Sequence, residues 1–332
     1  MGTINLNNLE DRKADMQALG ASEQSIKEME DKMRLGLLNF TVRETKPATN
    51  GHVDITYPFK RPEHSENYYF TRFTAAHYKI KPLEEGQSYF VITPKDGGKN
   101  DVKKLDHPID AIGEFKKRDK NCELAVGKDV ANKTTLASME NGTVNYVSKD
   151  FRGSFYAKPT EQTFYCEEGK GFTAPQAGNM VQGRSVYRDD LVAFNTGEVY
   201  KAWVNLDIDS GKKENSPNFK LKSFRDPAYG FDLTKVIQDY KIKELEKPGE
   251  LEKIDAALRN GERPLVTVVK EGKTIEVNLE TAVRYGKLNF FRPDGKPEKR
   301  ELFLKAPALE NQMSNKDRSK ENNLAENQAL GV

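Results

Sequence analysis

Residues 251–291 read LEKIDAALRNGERPLVTVVKEGKTIEVNLETAVRYGKLNFF, and this stretch decides the fold class. Leu251, Ile254 and Leu258 recur at the spacing that places apolar side chains on one helix face, and Gly261 stands where a helix is stopped. Three short runs follow, PLVTVVKEG, KTIEVNLE and GKLNFF. In the second, Ile275, Val277 and Leu279 alternate with polar residues at the two-residue period of a half-buried strand. Glycine-containing turns separate the runs, so the reading is a helix feeding an antiparallel three-strand meander.

The same grammar occurs near the start of the chain. A short helix over 9–19 ends near Gly20, and Ser22 supplies a side-chain oxygen to cap a second helix carrying Ile26, Met29 and Met33. Those three positions, with Arg34 and Gly36, match Leu251, Ile254, Leu258, Arg259 and Gly261 at a constant offset of 225. The runs LNFTVRE, HVDITYPF and ENYYFTRF then alternate as strands. An internal duplication of a helical hairpin plus three-strand meander is expected; the competing reading is that any amphipathic helix repeats this spacing.

Between the two modules, SYFVIT, a helix opening DHPIDAI with Pro108 in its first turn, CELAVGKD and GTVNYVS predict a small inserted αβ unit. Next come a strand at QTFYC, a glycine-rich turn, a helix capped by Thr173 and ended near Gly183, and a strand pair at VYKAWVNLDID and FKLKSFRD. From about Asn311 apolar periodicity is lost and a disordered tail is expected. The expected class is α+β, divided as 1–85, 86–160, 161–310 and 311–332.

Composition narrows the function classes. The chain has 332 residues, with 53 Lys+Arg against 51 Asp+Glu for a net charge of +2. The excess of cations sits in residues 94–160, where 13 Lys+Arg face 10 Asp+Glu and the runs KNDVKK and KKRDK are interleaved with Asp. Nucleic-acid affinity needs clustered cations against phosphates, so a polyanion is not the preferred partner. No basic-then-apolar leader and no stretch of 18 apolar residues occurs, which reads as a cytoplasmic protein without a membrane partner. Cys122 and Cys166 form no CxxC pair and read as reduced packing residues. His52, His64, His77 and His107 lie more than ten residues apart, so a histidine-built metal site would need long-range convergence.

The order of motifs TFYCEEGKGFTAPQAGNMVQGRSVY, YKAWVNLD, FRDPAYGFDLTKVIQDYKIKELE, ALRNGERPLVTVVKEGKTIEVNLE and LNFFRPDG resembles a family of unknown function encoded mainly on conjugative and other mobile elements of Bacteroidetes. The resemblance is strongest over 161–304 and weaker over 1–80, with the segment from Glu85 to Pro159 as an insertion. It implies a cytosolic accessory protein of a mobile element and supplies no catalytic residues. Members often end in a lysine-rich tail, whereas this chain reads ALGV at its end.

Asp207 and Asp209 form a DxD at a strand exit, where two carboxylates on one face could share Mg²⁺, although no third acid is identifiable. KKLDHPIDAIGEFKK followed by CELAVGKD resembles the opening of toprim-like nucleic-acid enzymes, with Asp106 in place of their metal-binding acid, but a capped ordinary helix is the preferred reading. Gly169, Lys170 and Gly171 precede a helix in a spacing that matches no phosphate-loop motif. No Ser, Cys or His lies in a nucleophile motif. Catalytic residues, cofactor and metal are therefore all assigned as none.

The remaining signal is aromatic and cationic side chains interleaved on strands. Tyr68, Arg72, Arg184, Tyr187, Trp203, Arg225 and Tyr229 are the predicted interaction residues, since aromatic and Arg side chains dominate protein hot spots and also stack on single-stranded nucleic acid. The leading expectation is a non-enzymatic accessory or counter-defence protein that binds an unidentified protein. Nucleic-acid binding through the aromatic/Arg faces comes second, and a metal-dependent nuclease or phosphoryl-transfer enzyme at Asp207 and Asp209 third.

Overall fold

The chain is described by a computed structural model over residues 5–305, apart from 81–82, 96, 99, 167–170, 194, 213 and 271. The expected tail from 311, and Gly169 and Lys170, lie outside the described residues. Helices alternate with antiparallel sheets, the α+β class that the periodicities predict. No helix among the described residues is long and apolar enough to cross a membrane.

The elements in chain order begin with helices α1 (Leu6–Ala18) and α2 (Glu23–Arg34) and strands β1 (Asn39–Pro47), β2 (His52–Lys60) and β3 (Arg72–Tyr78). Strands β4 (Ser88–Thr93) and β5 (Asp101–Leu105), helix α3 (Pro108–Lys116), strands β6 (Cys122–Gly127), β7 (Lys133–Glu140) and β8 (Thr143–Val147), helix α4 (Lys149–Tyr156) and strand β9 (Thr160–Tyr165) follow. Then come α5 (Ala174–Met180), β10 (Val186–Val192), β11 (Val199–Leu206), β12 (Leu221–Asp226), α6 (Leu233–Gln238) and α7 (Glu250–Arg259). The last strands are β13 (Leu265–Lys270), β14 (Lys273–Ala282), β15 (Lys287–Phe291) and β16 (Pro297–Glu298).

The described residues form two compact units, one drawn from 5–13 and 21–163, the other from 14–20 and 164–305. The chain thus passes from one unit to the other inside α1. In the second unit, Met16 and Leu19 are fully buried and the Leu19 carbonyl accepts a hydrogen bond from the Ala174 amide at 2.7 Å.

The first unit holds a sheet of order β1-β2-β3-β9 and a five-stranded sheet of order β5-β4-β6-β7-β8. Ser22 caps α2 by accepting from the Ser25 amide, as its position before an apolar repeat predicts. The first sheet buries Phe40, Tyr57, Phe59, Phe70 and Phe73, with the Phe59 and Phe70 rings stacked at 5.0 Å. The expected third strand over 66–73 begins only at Arg72. Before it, the Asn8 side chain on α1 accepts from the Tyr68 amide at 2.7 Å and donates to the Tyr68 carbonyl at 3.2 Å, so an amide of a helix stands in for a partner strand. In the five-stranded sheet, β5 and β7 escape the sequence pattern because an edge strand reading DVKKL and a polar strand reading KTTLASME show no apolar alternation.

The second unit holds a three-stranded sheet of order β10-β11-β12 and a four-stranded sheet of order β13-β14-β15-β16. One core gathers Trp203, Ile237, Ile254, Leu258, Val266, Val277, Leu279 and Phe290. Thr173 and Gln176 form a complete capping box on α5, and Pro175 stands in its first turn, where its missing N–H costs nothing. Strand β10 carries a register shift between Arg188 and Leu191, where two aspartates interrupt the alternation.

Candidate functional site

The seven residues predicted to contact a partner divide by burial. Tyr68 and Trp203 are each 2% exposed and Arg184 8%, so these three are interior residues and not contact residues. Each has a structural occupation. Tyr68 is held by Asn8, and Arg61 lies over its ring. Trp203 packs edge-on to Phe231 at 5.4 Å inside the second unit's core. Arg184 donates to the Asn179 side chain, the Gln182 side chain and the Gly261 carbonyl, tying the end of α5 to the end of α7. Burial pulls its pKa down to about 10, with the Arg263 charge next, and the group stays cationic at neutral pH. Tyr187 is half-buried against the same core, sits under the Arg259 guanidinium at 4.4 Å and donates to Asp226 at 2.7 Å. Burial and then the Asp226 carboxylate push its phenol up to about 12. The sequence pattern places Tyr187 and Trp203 correctly on strands, while Tyr68 lies ahead of β3, and alternation alone does not say which face is wet.

Arg72, Arg225 and Tyr229 are exposed. Arg225 and Tyr229 belong to the second unit, at the open end of the β10-β11-β12 sheet. Strand pairing sets Ala202 opposite Arg225 and Leu191 opposite Tyr200, so Arg225, Tyr200 and Leu191 share one face. The Arg225 guanidinium lies over the Tyr200 ring at 4.5 Å. Among the described residues it has no ion pair and no hydrogen bond. Beside it opens a hollow of about 550 Å³ lined by Val192, Thr196, Glu198, Tyr200 and Arg225 among others. Val192 and Val199 pair in register at the same end, and each is more than 60% exposed. Tyr229 is held rather than loose: its ring meets Phe224 at 4.8 Å and its hydroxyl donates to the Arg284 carbonyl at 3.0 Å.

The acids behave differently from a metal pair. Asp207 is buried, accepts from Lys222 at 2.7 Å and from the Ser210 amide, and is held below the usual carboxylate range by Lys222 first of all. Asp209 is exposed, and among the described residues neither joins a group of three ligand atoms close enough for one ion. Asp106 accepts from the Ser88 hydroxyl at 2.8 Å at the entry to α3. Cys122 and Cys166 are both buried.

One constellation escapes linear reading altogether. In the first unit His52 and Asp54, two residues apart on β2, meet His107 at the residue before α3. The ligand atoms of all three lie within 4.8 Å of one another, and among the described residues no other His/Cys/Asp/Glu group does this. The only linear signal is the alternate spacing of His52 and Asp54, which places both on one sheet face. His107 arrives through the β5-to-α3 turn, a contact of sequence separation too large for any motif.

Comparison of the chain with protein-family models, curated proteins and solved structures found no match.

Proposed function

We propose that this chain is a non-enzymatic cytoplasmic binding protein, an accessory or counter-defence factor of a mobile element, that engages a protein partner through the Tyr200–Arg225 end of the β10-β11-β12 sheet. The observation that carries the binding surface is Arg225: a guanidinium stacked on Tyr200 with its N–H groups unclaimed by any described residue, at the rim of an open hollow. Such an arginine is pre-positioned by the ring and offers a fork of donors to a carboxylate, which fits an acidic protein surface. Exposed Val192, Val199 and Tyr229 around it supply the apolar contact that a hot spot needs. The mobile-element context rests on the motif order of 161–304, and the near-cancelled charge favours a protein over a polyanion.

The test is cross-linking and capture from host cytosol with the full chain, wild type beside Arg225→Glu. A protein cross-linked near Tyr200 and lost with Arg225→Glu supports the reading. With the purified partner, Arg225→Ala is expected to cost about 2 kcal/mol, roughly a thirtyfold weaker Kd. No partner above background, or equal capture by the charge-reversed variant, overturns it. Binding to single-stranded DNA that weakens steeply with salt and needs Arg225 would transfer the same face to nucleic acid.

A further inference from the structure

We propose that His52, Asp54 and His107 form a binding site for a divalent transition-metal ion of the Zn²⁺ type. The His52 and Asp54 side chains are each 6% exposed and the His107 side chain 16%, so the group is enclosed on the β2 side and reached past His107. His107 Nε2 stands 2.9 and 3.1 Å from the two Asp54 carboxylate oxygens. His52 Nε2 stands 3.9 Å from Asp54 Oδ1. Nitrogen and oxygen ligands at about 2.0–2.2 Å from a tetrahedral ion lie roughly 3.3–3.5 Å from one another, so these separations bracket the required value.

His52 makes the strongest case. Its Nε2 is buried without a hydrogen-bond partner. The ring donates to the Ile80 backbone, and with Nε2 unpartnered this donor must be Nδ1–H. Nε2 is therefore the ring nitrogen left to take a metal ion. His52 Nε2, buried and unpartnered, thus faces the Asp54 carboxylate across 3.9 Å, a gap that a cation bound to both would fill.

The surroundings fix the ligands in the way metal sites require. Thr45, paired opposite Asp54 in the sheet, donates its hydroxyl to Asp54 Oδ1 at 2.8 Å. Tyr78 stacks on His52 at 5.2 Å and sets the ring plane. His107 Nδ1 has no hydrogen-bond partner, so of the two imidazoles only His52 has its second ring nitrogen anchored, and His107 Nε2 would exchange its bond to Asp54 for the metal. Two imidazoles and one carboxylate, with no thiolate, are the donor set of Zn²⁺, Co²⁺ and Fe²⁺ rather than of Ca²⁺ or Mg²⁺, and three protein ligands leave a position for water or a further group.

The experiment titrates Zn²⁺ by calorimetry, and Co²⁺ by visible absorption, into the full chain without a polyhistidine tag, after chelator treatment. One ion is expected per chain, with the intense Co²⁺ spectrum of a four- or five-coordinate centre. His107→Gln should weaken binding by well over about tenfold, since even loss of a residue that only supports a ligand costs about 10–100-fold. Thr45→Val, which leaves the three ligands in place, should weaken it by about tenfold and keep the circular-dichroism spectrum and melting behaviour. Asp209→Asn, in the other unit, should change nothing. Absence of binding, or binding that survives both His107→Gln and His52→Gln in folded protein, overturns the site and leaves His107–Asp54 as an ordinary ion pair.

Discussion

The helices that precede the two meanders end in the same way and in different company. In α2 the Gly36 amide donates to Met33 and the Leu37 amide to Lys32; in α7 the Gly261 amide donates to Leu258 and the Glu262 amide to Ala257. Both glycines are left-handed, at φ 71° and 77°, and both endings follow the six-to-one, five-to-two pattern of a glycine-stopped helix. A Cβ on Gly36 would meet open space, whereas one on Gly261 would lie 2.9 Å from Val186, 3.0 Å from Asn179 and 3.1 Å from the Ser185 carbonyl. The difference teaches that the stop signal is local and portable, while its cost of replacement is written by chain that is remote in sequence. The two regions share a further trait, since each meander acquires a fourth strand beside its third.

Superposition of residues 22–75 on 247–293 sharpens this comparison first: a duplication brings Gly36 onto Gly261 with the same strand order and handedness, and any other outcome removes it. Among substitutions the largest effect belongs to the second region's core. Trp203→Ala is expected to destabilise by about 3–5 kcal/mol in denaturant unfolding, as an interior indole would and a surface contact would not. Gly261→Ala should follow at about 2–4 kcal/mol, because a left-handed residue with a Cβ costs about 1–2 kcal/mol and overpacking against Val186 and Asn179 adds more. Gly36→Ala should cost only the first part, about 1–2 kcal/mol; equal losses at both positions would break the contrast.

The smallest expected effect is the pH slope that Glu244 adds in the second region. Burial opposes ionisation of Glu244, yet its hydrogen bonds with Thr267, the amide included, outweigh burial and hold its carboxyl below the usual range. A depressed carboxylate pKa means the unfolded chain binds the proton more readily, so this contribution is complete above about pH 4.5 and is lost as pH falls through the folded value. As pH falls from about 4.5 through the folded value, urea midpoints of Glu244→Gln should fall less than those of wild type, with the two falling alike above it.

What was legible in the sequence was what neighbours in the chain decide. Ser22, the Thr173–Gln176 box, Pro108, Gly36 and Gly261 mark helix ends within four residues, and the alternation of Ile275, Val277 and Leu279 marks β14. Strands β5 and β7 were not legible, because edge and polar strands draw their pairing from partners rather than from apolar alternation. Nor were the sides of the aromatics: Trp203 and Arg225 sit on neighbouring strands, yet one faces the core and the other a hollow. The meeting of His52 and Asp54 with His107 depends on how α3 is set against β2, a relation that no window of sequence contains.

The passage of the chain between units inside α1 has a consequence for synthesis. Residues 14–20, with buried Met16 and Leu19, leave the ribosome before any of the first unit's sheets exist, while the Ala174 amide that seals the Leu19 carbonyl is made only after all of them. The second unit therefore joins a segment made before the first unit's sheets to segments made after them, and it cannot close until those sheets have been made.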